Sequence, residues 1–75
     1  MAKKDKSADS VYKITEVIGT SSTSWEEAAK NAVETASRRL RDLRVAEIVK
    51  LDVKVENGRV AAYRARVALS FKYES

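Results

Sequence analysis

Any chemistry in this 75-residue chain has to come from carboxylates, cations, hydroxyls and one indole, because the sequence contains no histidine and no cysteine. That removes the imidazole proton shuttle, the thiolate nucleophile and the soft ligands of most transition-metal sites. Among the acids, Glu16, Glu26, Glu27, Glu47, Asp52 and Glu56 are scattered. No two have a spacing that argues for an acid–base pair, and no run has the closely spaced oxygens of an EF-hand loop. The residues therefore argue for a binding protein and against an enzyme. A symmetry axis could gather copies of one carboxylate, and Glu47 and Asp52 are the candidate metal ligands because they sit within a predicted strand. Arg38, Arg39 and Arg41 offer an anion patch, but their place at the end of a predicted helix gives them a structural role against its dipole. Trp25, at the start of that helix, is expected to pack on a sheet or at an interface.

The elements that must position these residues follow from periodicity. In "VYKITEVIG" apolar and polar residues alternate with β-branched enrichment, which predicts a strand ended by Gly19. Ser24 followed by Glu27 reads as a capping box, in which each side chain satisfies an orphan amide of the other. The helix it opens has Trp25, Ala28, Ala29, Ala32, Val33, Ala36 and Leu40 on its apolar stripe, with Lys30, Glu34, Arg38 and Arg41 outside. Glu34 and Arg38 are spaced for an ion pair. So many alanines imply close packing on a sheet. Two alternating runs, 44–56 and 59–73, flank Asn57-Gly58, a strong short-range hairpin signal. The fold class is α+β, with one helix and a three-stranded antiparallel sheet in β-α-β-β order.

A strict two-residue turn would place Leu51 opposite Arg64 and Val49 opposite Arg66. The apolar rows of the two strands, Val45-Val49-Leu51-Val53-Val55 and Ala61-Tyr63-Ala65-Val67-Leu69-Phe71-Tyr73, then lie on opposite faces. A bulge or a longer loop through Arg59 would bring them together; alternatively both faces of the sheet are covered. The second is expected, since one helix covers only one face and neighbouring copies can cover the other.

Length and composition press toward the same self-association. A chain of 75 residues encloses little core, and the usual staples are absent: no cysteine, no histidine, no proline. The formal charge is +4, with 15 basic residues interleaved among 11 acidic ones, which describes a mixed solvated surface more than a nucleic-acid stripe. No apolar run has membrane-spanning length. Residues 1–10, charged and small, are expected to be a tail outside the 11–75 domain, with no signal sequence, and a cytoplasmic location is the default.

From Val11 to Glu74 the chain resembles the dodecins, through its "VYK" opening, the "GTS" and "SWEEAAKNA" helix start, the "RLRDLRVAEIV" crossing and the "YRARVALSFK" last strand. The resemblance implies a sheet wrapped around the helix and a hollow homododecamer that stores or sequesters riboflavin or FMN in pockets shared between subunits. Flavin-binding members carry a tryptophan at the position of Val45, stacked on the isoalloxazine, and a glutamine at the position of Arg64 for the pyrimidine edge. Valine offers no π face, and a guanidinium has donors but no acceptor. Both departures resemble the branch called calcium dodecins. The resemblance thus implies a small-ligand or Ca2+-binding assembly with weak or lost flavin binding. The alternative is a flavin-storage dodecin, and the third reading is a basic nucleic-acid-binding module.

Overall fold

The computed structural model describes residues 11–72, in which β1 (Tyr12–Ser21), α1 (Trp25–Ser37), β2 (Leu43–Glu56) and β3 (Arg59–Lys72) follow in the expected order. The expectations for residues 1–10 lie outside the described residues. All pairings are antiparallel and the sheet order is β1-β3-β2, so the last strand lies in the middle.

Helix α1 begins as its sequence dictates. Ser24 is the N-cap, its Oγ accepting from the Glu27 amide at 3.0 Å. The return half of the capping box is replaced. The Ser24 amide donates to Ser21 Oγ at 3.3 Å, and the Ser21 hydroxyl donates to Glu27 Oε1 at 2.7 Å, so buried Ser21 relays the carboxylate to the amide. Beyond Ser37 the chain leaves the helix; Arg39 and Leu40 amides both donate to the Ala36 carbonyl at 2.9 Å, and Asp42 turns the backbone with φ 58°. The helix is therefore one turn shorter than its apolar spacing predicts. Arg38 is the C-cap, Arg39 and Arg41 lie past it, and the last turn contains no basic residue. Glu34 and Arg38 are not among the ion pairs of the described residues.

Gly19 does not end β1, which continues to Ser21. Its role is proximity: a Cβ there would collide with the Ala28 carbonyl oxygen and lie 2.8 Å from Ala32 Cβ. The missing side chain lets the alanine face of α1 settle onto the sheet. Ala28, Ala32, Ala65, Val67 and Leu69 form the buried cluster, with Val17, Val33, Ala36, Leu40 and Leu43 packed around it. The helix thus covers β1 and β3, and of β2 only Leu43 joins the cluster.

The hairpin corrects the expected register. Asn57 and Gly58 both take positive φ, 53° and 73°, as a tight primed turn requires, and Glu56 pairs with Arg59. The register then shifts past Ala61, so that Leu51 lies opposite Ala65 and Asp52 opposite Arg64, and shifts back past Val49, so that Ile48 lies opposite Val67. A further irregularity falls between Leu43 and Val45. Bulges thus bring the apolar rows together, where partial cover of both faces was the expected resolution. Leu51 and Val53 come onto the helix side with Ala65 and Tyr63, while Val45 and Glu47 remain on the other. The uniform row expected for Val45, Glu47, Val49 and Leu51 is broken at Val49, because one extra residue reverses which face the strand presents.

Candidate functional site

The face of the sheet away from the helix carries all four of the sequence-designated residues. Reading across β1, β3 and β2, its rows are Ile14–Ser70–Val45, Glu16–Ala68–Glu47, Ile18–Arg66–Lys50 and Thr20–Arg64–Asp52. Ile14, Ile18 and Val45 stand 63%, 48% and 53% exposed, so this apolar surface is open in the single chain.

One pair on this face is fully engaged. Arg64 donates to Asp52 through Nε to Oδ1 at 2.8 Å and Nη2 to Oδ2 at 3.1 Å, a bidentate cross-strand ion pair. The bonds from Arg64 hold the Asp52 carboxyl below its ordinary range, with Arg66 and Lys50 adding to the effect and desolvation opposing it; the Arg64 pKa is raised in return. The Asp52 carbonyl also accepts from Trp25 Nε1 at 2.9 Å, and the Trp25 ring meets Tyr63 edge-on at 5.1 Å. Trp25, still 39% exposed, thereby ties the start of α1 to β2 and β3. Asp52 and Arg64 were singled out for different roles, metal ligand and flavin-edge contact, and in this chain they satisfy each other. A strict register conceals this pair; once Ala61 is recognised as extra, the opposed charges become the signal.

Val45 does not join them. It lies three rows from Asp52, the six residues from Ser70 to Arg64 along β3, roughly 20 Å at about 3.3 Å per residue, so one subunit does not bring Val45 and Arg64 to a common ligand. Glu47 stands apart as well. It shares its row with Glu16 across Ala68, two strand spacings or roughly 10 Å away, and neither acid takes part in the ion pairs of the described residues. No group of three metal-ligating side chains occurs among the described residues. Calcium ligands sit 2.3–2.6 Å from the ion, so these acids fit a calcium only if other copies bring further oxygens to Glu47.

On the helix side, an apolar groove of about 470 Å³ lies between α1 and β2, lined by Trp25, Glu26, Ala29, Ile48 and Leu51. Periodicity alone could not foresee it, because the Val49 bulge places Ile48 and Leu51 on that side.

The β-α-β-β topology, with its central last strand and glycine-seated helix, defines the class of fold. The chain belongs to the dodecin family, whose model matches residues 11–74. It is 44% identical over 63 residues to the calcium dodecin of Mycobacterium tuberculosis, covering 84% of this chain and 89% of that one. Among solved structures it is similar to the dodecin of Streptomyces coelicolor, at 35% identity and TM-score 0.83, covering 91% and 97% of the two chains. It is also similar to the crystal structure of the M. tuberculosis calcium dodecin, described as calcium-chelating with a novel calcium-binding site, at 42% identity and TM-score 0.76, covering 85% and 91%.

Proposed function

We propose that the protein is a small-ligand-binding or storage assembly, a hollow homododecamer of the dodecin type, in which flavin binding is weak and a cation is bound through Glu47 from several copies. The observation that carries the flavin part is the state of the two pocket positions. Val45 has no ring to stack, and the Arg64 guanidinium is already held by both oxygens of Asp52. A flavin edge would have to compete with that ion pair. Stacking on an aromatic platform is worth about 1–3 kcal/mol, and an unmatched polar edge costs a similar amount.

The cation part rests on Glu47, exposed on the ligand face and outside the ion pairs of the described residues, and on the likeness to a protein named for calcium. Asp52, paired with Arg64, is the weaker of the two sequence candidates. A binding role without turnover accords with the absence of histidine and cysteine. No described helix is long and apolar enough to cross a membrane, and the proposed setting is the cytoplasm.

Titration against riboflavin and FMN, read by quenching of flavin fluorescence, tests the first part. The natural protein should quench weakly, and the double change Val45→Trp with Arg64→Gln should bind at least about tenfold more tightly, the equivalent of 1.4 kcal/mol. Submicromolar binding by the natural protein would favour the flavin-storage reading. For the cation, calcium should raise the melting temperature more than magnesium does at matched ionic strength, and Glu47→Gln should remove the difference. Identical melting with calcium and with chelator would discard the cation role.

A further inference from the structure

The chain has two side-chain amides, Asn31 and Asn57, and the fold treats them oppositely. Asn31 lies in the middle of α1, is followed by Ala32, and donates from Nδ2 to the Thr20 carbonyl at 3.0 Å. Asn57 lies at the exposed tip of the β2–β3 hairpin and is followed by Gly58. Among the described residues its carboxamide takes part in no side-chain hydrogen bond, and the Gly58 amide donates none of the turn and loop bonds. Space around the pair is open as well, since nothing lies within 4 Å of where a Gly58 Cβ would be.

These are the conditions for an internal displacement. The Gly58 nitrogen and Asn57 Cγ belong to one short stretch of covalent structure, so their reaction closes a five-membered ring and needs no bimolecular encounter. A hydrogen bond from the Gly58 N–H would hold its proton, and a side chain at that position would crowd the attack. Neither obstacle is present among the described residues.

We propose that Asn57 is a self-modification site, which loses its amide spontaneously and leaves an aspartyl or isoaspartyl residue at the hairpin tip. Hydroxide removes the Gly58 amide proton, and the Gly58 nitrogen bonds to Asn57 Cγ. The Cγ–Nδ2 bond then breaks as Nδ2 takes a proton from water and leaves as ammonia, which regenerates the hydroxide. Water opens the cyclic imide. Addition at Cγ gives aspartate; addition at the backbone carbonyl carbon of residue 57 gives isoaspartate, whose main chain runs through Cβ and Cγ and is longer by one carbon. The two products differ in consequence. Aspartate suits the primed turn, where it is favoured before glycine, and cancels the single net positive charge that Lys54, Glu56 and Arg59 give the tip. Isoaspartate breaks the match between turn and strands, so the Glu56–Arg59 and Val55–Val60 pairs lose their closure. The register shift between Lys54 and Val55 separates those two pairs from the rest of the ladder, so the opening stops short of Asp52 and Arg64.

Ageing of the assembled full-length protein at pH 6, 7, 8 and 9, followed by ammonia release, intact mass and peptide mapping, provides the test. The amide should be lost at residue 57 and not at residue 31, at a rate that rises in proportion to hydroxide, and the mapped peptide should resolve into aspartyl and isoaspartyl forms. Asn57→Gln, which would have to close a larger ring, should slow the loss at least tenfold. Hydrogen exchange of the Glu56 and Arg59 amides should quicken in the isoaspartyl form and stay unchanged in Asn57→Asp, which carries the charge on an ordinary main chain. Loss at Asn31 as fast as at Asn57 would overturn the site, and so would aspartate as the sole product, which would mean direct hydrolysis without the imide. Loss in the assembly more than a hundredfold slower than in the same chain unfolded in guanidinium would also overturn it, by showing that the turn or a neighbouring copy shields the pair.

Discussion

At the scale of single residues, two carboxylates link structure to pH. Glu27 is held below its ordinary range chiefly by the hydrogen bond from Ser21, then by Thr23 and the charge of Lys30, with desolvation opposing. Asp52 is lowered by Arg64. A carboxyl whose pKa is lower folded than unfolded contributes stability that is present above the unfolded value and lost as pH falls through the folded one. Stability should therefore decline below about pH 4, where both groups begin to take up protons in the unfolded chain. Melting temperatures measured from pH 3 to 7 should show this slope, and Glu27→Gln or Arg64→Gln should each flatten part of it. A slope unchanged in both variants would mean that other groups set it. The residue scale is also where sequence reading was weakest. Asp52 and Arg64 were each picked out, but their mutual bond depends on one extra residue in β3, and alternation carries no mark of that extra residue.

At the scale of elements, the two glycines make opposite demands. Gly58 has φ +73° and nothing within 4 Å of where a Cβ would lie, so Gly58→Ala meets only backbone strain, about 1–2 kcal/mol. Gly19 has ordinary strand geometry but no room, since the added carbon would meet the Ala28 carbonyl, which belongs to the helix backbone and cannot swing aside. Gly19→Ala should cost about 3 kcal/mol or more, because α1 must lift from the sheet to accommodate it. Urea denaturation should rank Gly19→Ala well below Gly58→Ala, and the reverse order would place the helix elsewhere. The elements themselves were legible in the sequence. The Asn57-Gly58 turn, the Ser24 cap and the order of strands and helix stand as expected. Their ends were less so: Leu40 continues the apolar spacing of α1 but reaches the core from an irregular turn, and Gly19 resembles a strand terminator while serving as a seat for the helix.

At the scale of the whole molecule, the core is too small for the apolar surface around it. Among the described residues, the fully buried side chains of any size are Leu69 and Val67, while eleven large apolar or aromatic residues remain at least 39% exposed, from Val11 to Val60. A surface of this kind calls for further copies. Light scattering coupled to size exclusion should give about twelve times the chain mass. Leu51→Asp, which puts charge on the helix-side surface of β2, should shift the population to smaller species; an unchanged mass would show that this surface stays wet in the assembly. The sheet order also has a consequence in time. Tyr12 is in register with Lys72, so the first residue of β1 has no partner until sixty further residues have been synthesised, about 3–12 s at ordinary elongation rates. Through that interval α1 has only half of its seat, because Val67 and Leu69 belong to the strand made after the others. The core can thus close only after the central strand β3 has been made, however early β1 and α1 form.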